Sequence, residues 1–195
     1  IEAVTERLDI KNQVFQYLSE NTDENTVLAS NSSFIAGSQL SEVTNCPSRI
    51  LNMHFFYPPI RMDLIEVAYS PAVEQSFIDR TINLGNLMGR KVVVLKKETP
   101  GFIVNRMLAA LADEAFELYK EGIASFEDID IAIENGLGHP KGPYRLADYS
   151  GLDIHYYAKL KLAEESGDES LGPPDFLTKR VKEGDLGVKS GKGFY

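Results

Sequence analysis

Two ionisable residues sit in adjacent apolar runs: His54 in ILNMHFF (50–56) and Glu66 in DLIEVAY (63–69). Both runs read as strands, and the double proline Pro58–Pro59 between them prevents the first from continuing as a central strand. A histidine at the C-terminal end of a strand, just before such a corner, points into the crevice where open α/β sheets bind their ligands. If the two strands are neighbours, imidazole and carboxylate can meet. Such a pair orients the ring, fixes its tautomer and stabilises the imidazolium formed when the other nitrogen takes a proton, which is general-base chemistry. The same pattern also fits a half-exposed histidine and an ordinary outward glutamate in an alternating strand.

Further polar groups fall at places where a site could use them. Ser32 and Ser33 follow the strand TVLAS, where hydroxyls can hold a carbonyl or a nicotinamide amide, or simply shape a turn. In TPGFIVNR a Pro-Gly turn opens a helix whose first turn carries Asn105, an amide able to donate to a carbonyl oxygen or to serve as cap or surface residue. The lone Cys46 beside Pro47 reads as inert filler. No cysteine–histidine cluster and no HExxH occurs, so a metal site is not expected. GLGHPKG (136–142) follows a helix, whereas a dinucleotide fingerprint follows a strand; GVKSGKGF (187–194) lacks the Ser or Thr of a phosphate-cradling loop. Both read as turns, although Lys189 and Lys192 could reach a phosphate from a flexible terminal loop.

The elements that must position these residues follow from period and punctuation. Leu8, Val14, Phe15 and Leu18 mark an amphipathic helix over about 6–20, after an apolar IEAV opening that runs into helix-like periodicity. Strands are expected at 26–30, 50–56, 63–69 and 91–96, with helices at 38–43 and 72–89; the run KVVVLK is too apolar for a strand with one wet face. This alternation indicates an α/β layer. Beyond Lys97 the texture becomes helical: 101–122 is apolar around most of its circumference, as in a helix buried by several neighbours or by another subunit. Ser125 with Asp128 opens the next helix as a capping box, and helices follow at about 143–149, 152–165 and 174–183. The expected organisation is an α/β domain over 1–97 and an all-α domain over 98–195.

The chain has 195 residues, of which 43% are hydrophobic, enough for a sizeable core. A formal charge of -9 argues against general affinity for nucleic acid or an anionic membrane. No apolar run reaches the length of a membrane span, the first residues lack a signal-peptide layout, and a single cysteine forms no internal disulfide. An aqueous, cytoplasmic setting is expected.

Taken in order, IEAVTERLDIK, LASNSS, MHFFYPP with LIEV, TPGFIVNR, GLGHPKGPYRLADYSGLD and LGVKSGKGFY resemble the L-3-hydroxyacyl-CoA dehydrogenase family over nearly the whole chain. The resemblance implies the C-terminal part of a Rossmann-type NAD-binding domain followed by a helical dimerisation domain, and an acyl-CoA substrate oxidised at its 3-hydroxyl with NAD. It implies His54 as general base, Glu66 as its orienting carboxylate, Ser33 and Asn105 on the substrate oxygens, and Glu6, Lys11, Ser33, Tyr57 and Lys189 toward the cofactor. It also implies a homodimer. The family's first strand and glycine-rich loop are expected to precede Ile1, so that residues 1–195 alone would bind NAD poorly and turn over negligibly. Tyr57 stands where the family usually has Asn, and Phe34 replaces a second serine. These departures leave open a related NAD-dependent dehydrogenase of a non-CoA hydroxy acid; a non-catalytic dimerisation homologue is the remaining alternative.

Overall fold

The computed structural model describes all 195 residues except the side chain of Glu165. The chain forms two compact units, Ile1–Arg106 and Met107–Tyr195. In the first, strands β1 (Leu28–Ser30), β2 (Ile50–Phe55), β3 (Leu64–Ala68) and β4 (Lys91–Val94) lie side by side in chain order. β1 and β2 are parallel, as are β3 and β4, and each of these pairs is joined through a helix, α2 (Gly37–Ser41) or α3 (Gln75–Leu87). The short proline corner after Phe55 has no such crossover, so β2 and β3 pair antiparallel. Helix α1 (Leu8–Asn21) precedes β1.

Period two sorts the side chains of β2. Leu51 and Met53 join Ile65, Val67, Phe77 and Ile78 in a core that includes α3. Ile50 packs instead with Phe15 of α1, Leu28 and Leu40. Asn52 and His54 share the parity of Ile50, and Glu66 shares that of Ala68, which packs with Leu95 and Phe102. Asn52 is matched on both ends: its carbonyl oxygen accepts the Gly37 N–H at 2.7 Å and its amide donates to the Ile35 carbonyl at 3.0 Å. The α2 segment is thereby fastened to β2.

The second unit is helical: most of α4 (Val104–Lys120), then α5 (Phe126–Gly136), α6 (Pro143–Ser150), α7 (Leu152–Ser166) and α8 (Asp175–Glu183). Ser125 caps α5, its hydroxyl oxygen accepting the Asp128 N–H at 3.1 Å. Phe116, Tyr144, Leu152, Leu177 and Phe194 form the core.

IEAV is extended, with Glu2 bridging Ser30 in parallel, and α1 follows it from Leu8. Three expectations are corrected. β4 is an edge strand in which Lys91 and Val93 are exposed while Val92 and Val94 pack inward, so its apolar run does have a wet face. α4 buries one stripe, Ala112, Ala115 and Phe116, whereas Met107 is 68% exposed; burial by neighbours within the chain is excluded. The terminal segment is fixed, not flexible: the Asp148 carboxylate accepts the Phe194 and Tyr195 N–H groups at 2.9 and 3.0 Å, and the Arg180 guanidinium lies 4.2 Å from the Phe194 ring centroid.

Candidate active site

His54 and Glu66 stand directly opposite each other in the β2–β3 register. Directly opposed residues of an antiparallel pair project to the same face, so the two side chains meet, with Nδ1 to Oε2 at 3.2 Å. Both are buried, His54 at 3% and Glu66 at 1% exposure. Removing a carboxylate from water costs several kcal/mol unless donors replace the lost solvent. Here the replacement comes from the backbone: Oε1 accepts the N–H of Ile103 at 3.0 Å and of Val104 at 3.1 Å, at the start of α4. Those N–H groups have no intrahelical partner and carry the positive end of the helix dipole. The TPGF turn aims them. Gly101 (φ +75) and Phe102 (φ +47) both take the left-handed region, and for phenylalanine that costs on the order of 1–3 kcal/mol.

A carboxylate only accepts, so the proton of the neutral ring sits on Nδ1 and Nε2 carries the lone pair. Nε2 faces the Ser33 hydroxyl at 3.1 Å. The rings of Phe56 and Phe102 lie 4.6 and 5.2 Å from the imidazole centroid and restrict its tilt. This is an oriented base with a hydroxyl beside it, able to take a proton from a substrate hydroxyl while Ser33 holds the oxygen.

Ser33 is itself held. The Glu6 carboxylate accepts the Ser32 hydroxyl, the Ser33 N–H at 3.1 Å and the Phe34 N–H at 3.0 Å. Burial alone would raise the pKa of Glu6, but the Ser32 hydroxyl, the Phe34 N–H and the Lys11 ammonium together bring it below the ordinary value. Lys11 is only 1% exposed; its ammonium donates to Glu2 at 2.7 Å and to the Val4 carbonyl at 3.2 Å, and lies 3.5 Å from Glu6.

His54, Glu66, Ser33 and Glu6 are thus brought together. Asn105 follows Val104 on the first turn of α4, half-buried, with no hydrogen bond from its side chain among the described residues. Tyr57, two residues beyond β2, is 92% exposed. Phe34 is 55% exposed, its ring edge within 3.4 Å of the place a Cβ on Gly101 would take. Lys11 is spent on carboxylates inside the fold, and Lys189 belongs to the second unit, paired with Asp153 at 2.5 Å. No group of metal ligands occurs among the described residues.

Sequence reasoning missed Glu2, Phe56 and Phe102. For Glu2 a signal exists: Lys11 falls on the stripe of Leu8, Phe15 and Leu18, and a lysine on an apolar stripe needs a buried acid. For the two phenylalanines no local signal distinguishes a ring against a histidine from ordinary core.

Comparison with known proteins gives matches along the whole chain. Residues 1–99 match the family model described as 3-hydroxyacyl-CoA dehydrogenase, NAD binding domain, and residues 101–195 match the one described as 3-hydroxyacyl-CoA dehydrogenase, C-terminal domain. The chain is 38% identical to human mitochondrial hydroxyacyl-coenzyme A dehydrogenase, covering all of itself but 62% of that protein. It is 37% identical to a 3-hydroxybutyryl-CoA dehydrogenase of Clostridioides difficile, covering 69% of it. The crystal structure of (S)-3-hydroxybutyryl-CoA dehydrogenase from Ralstonia eutropha superposes with a TM-score of 0.89 at 35% identity, over all of this chain and 68% of that one.

Proposed function

The chain belongs to the 3-hydroxyacyl-CoA dehydrogenase family, and on that footing we propose that the protein oxidises the 3-hydroxyl of an L-3-hydroxyacyl-CoA to a ketone with NAD, in fatty-acid β-oxidation or short-chain acyl-CoA metabolism. The observation that carries this reading is the imidazole held between Glu66 on Nδ1 and Ser33 on Nε2. His54 takes the hydroxyl proton on Nε2 as the carbon–hydrogen bond of the same carbon is broken. Glu66 keeps the ring in place and balances the positive charge it acquires. Ser33 and the Asn105 amide hold the substrate oxygen as it becomes a carbonyl. Such general-base assistance contributes about 100-fold to 10,000-fold in rate.

The residues at the strand ends fit the nicotinamide half of the cofactor. Glu6 is still 40% exposed at its side chain, so its carboxylate, beside Ser33, can accept from the amide of a carboxamide. NAD bound there would supply the hydride acceptor for the substrate carbon. Lys11 acts in this reading through Glu6, and Lys189 is paired with Asp153 within the second unit.

The exposed apolar side of α4, with Met107 and Leu108, supports a homodimer through the helical unit. No helix among the described residues is long and apolar enough to cross a membrane. We place the protein in the cytoplasm, although the human relative's name places that protein in mitochondria.

The test is NADH formation by the full-length protein with L-3-hydroxybutyryl-CoA and with free 3-hydroxybutyrate. Turnover of the thioester alone is expected, and His54→Gln should lower kcat on the order of 100-fold or more. Equal turnover of the free acid, or an undiminished His54→Gln rate, overturns the proposal.

A further inference from the structure

We propose that Glu6 is a positioning residue for the base: it fixes the Ser32–Phe34 loop so that the Ser33 hydroxyl meets Nε2 of His54. The kinetic part of this inference rests on the dehydrogenase reading; the spectroscopic part does not.

Glu6 Oε1 gathers donors from three successive residues, the Ser32 hydroxyl and the N–H groups of Ser33 and Phe34. Successive N–H groups converging on one oxygen form an anion-binding concavity, and filling it freezes the backbone between them. Ser33 is the middle of the three, so the position of its side chain is set by this grip. The opposite side of the loop is fixed as well, because the Gly101 N–H donates to the Ser33 carbonyl at 3.1 Å.

Glu6 is in turn held by a closed ring of contacts. The Ser30 hydroxyl donates to Glu2 Oε2 at 2.8 Å, and Lys11 donates to Glu2 Oε1 at 2.7 Å and lies 3.5 Å from Glu6 Oε2. The Ser32 hydroxyl then joins Glu6, and the Ser32 N–H returns to the Ser30 hydroxyl oxygen at 3.1 Å. Ser30, the last residue of β1, and Ser32 are therefore connected in three ways: through the chain, through the direct N–H to hydroxyl bond, and through three charged side chains. Removing Glu6 opens the ring at the member that touches the serine loop. Two other members touch that loop: Ser30, whose hydroxyl oxygen accepts the Ser32 N–H, and Ser32 itself, whose hydroxyl oxygen also accepts the Phe34 N–H at 3.3 Å and the Ile35 N–H at 2.8 Å; neither of them reaches the Ser33 N–H.

A residue acting only as a cofactor contact would behave differently, and the two roles separate cleanly. Long-range 1H–15N NMR of the imidazoles reads the Nε2 hydrogen bond directly, and with three histidines in the sequence the His54 signals are readily assigned. Ser33→Ala supplies the reference for an Nε2 without its hydroxyl partner. Glu6→Ala should move the His54 Nε2 resonance toward that reference. In steady-state kinetics it should lower kcat at saturating NAD by about 100-fold, as expected for a misplaced catalytic group. Glu6→Gln keeps a carbonyl oxygen for the two N–H groups and should restore most of the wild-type resonance and rate. If Glu6→Ala leaves the resonance and kcat unchanged and only raises KM for NAD, Glu6 is a cofactor contact and the inference fails. Should the protein show no dehydrogenase activity at all, the resonance of the Glu6→Ala and Glu6→Gln proteins still decides the point.

Discussion

The two substitutions Glu66→Gln and Glu66→Ala separate the structural from the chemical work of one carboxylate. Glu66 receives three donors: His54 on Oε2 and the N–H groups of Ile103 and Val104 on Oε1. In Glu66→Gln the two backbone N–H groups dictate which way the amide lies, because only its oxygen can accept them. The NH2 must then face His54 Nδ1, which is satisfied only if Nδ1 loses its proton and Nε2 takes it. The stability cost is small, but the nitrogen that faces Ser33 becomes a donor and can no longer receive a substrate proton. A wrong tautomer of this kind is expected to lower kcat on the order of 100-fold to 10,000-fold. Glu66→Ala instead leaves three N–H groups unpaired, the buried one of His54 at about 1–3 kcal/mol and the part-buried ones of Ile103 and Val104 at less each, and the total compares with the roughly 3–5 kcal/mol for breaking a buried ion pair. For a chain of this size that lowers Tm by roughly 6 to 20 °C. The assays are NADH formation at saturating substrates, thermal unfolding, and 15N NMR of the His54 tautomer. A Glu66→Gln protein with the wild-type tautomer and undiminished kcat would falsify the assignment of base and orienter, and a Glu66→Ala protein as stable as wild type would refute the backbone contacts.

Four further outcomes are expected. Lys11→Met should destabilise the first unit by about 3–5 kcal/mol in urea titration by leaving buried Glu2 unpaired, and adding Glu2→Gln should recover part of that loss; an additive double mutant contradicts the pairing. Burial holds His155 below its ordinary value of 6.5, near Ser150 and Phe116. The unfolded chain therefore binds the proton first, so stability is complete above pH 6.5 and falls below it; Tm against pH should flatten in His155→Gln, and an identical acid slope in that variant rejects the account. Asp148→Ala should cost about 2–5 kcal/mol and speed amide exchange of Phe194 and Tyr195, whereas protected amides would mean that the core alone holds the terminus. Gly187→Ala should cost about 2–5 kcal/mol, since φ there is +90 and a Cβ would overlap the Asp148 carbonyl; a neutral effect on Tm would show that the turn relaxes freely.

The strands around His54 and Glu66, the cap at Ser125 and the helical second half were legible because each rests on local signals: β-branched runs, a serine before an acidic first turn, periodic apolar positions. The candidate pair was legible as two residue types at strand positions, a pattern that a half-exposed histidine and an outward glutamate also fit. Only tertiary structure chose between them. A register slipped by one residue would have sent Glu66 to the opposite face of the sheet, and nothing local to either strand fixes that register. The same holds for Lys11, whose place on an apolar stripe was visible but whose partners came from the extended segment before α1: Glu2, the Val4 carbonyl and Glu6. The wet face of β4 and the bare side of α4 were misread because apolar composition reports what a segment can bury, while its exposure depends on which neighbours arrive. The sequence determined the chemistry available in this chain; long-range pairing decided which groups touch, since contact between residues far apart along the chain depends on backbone hydrogen bonds that any side chain can accompany.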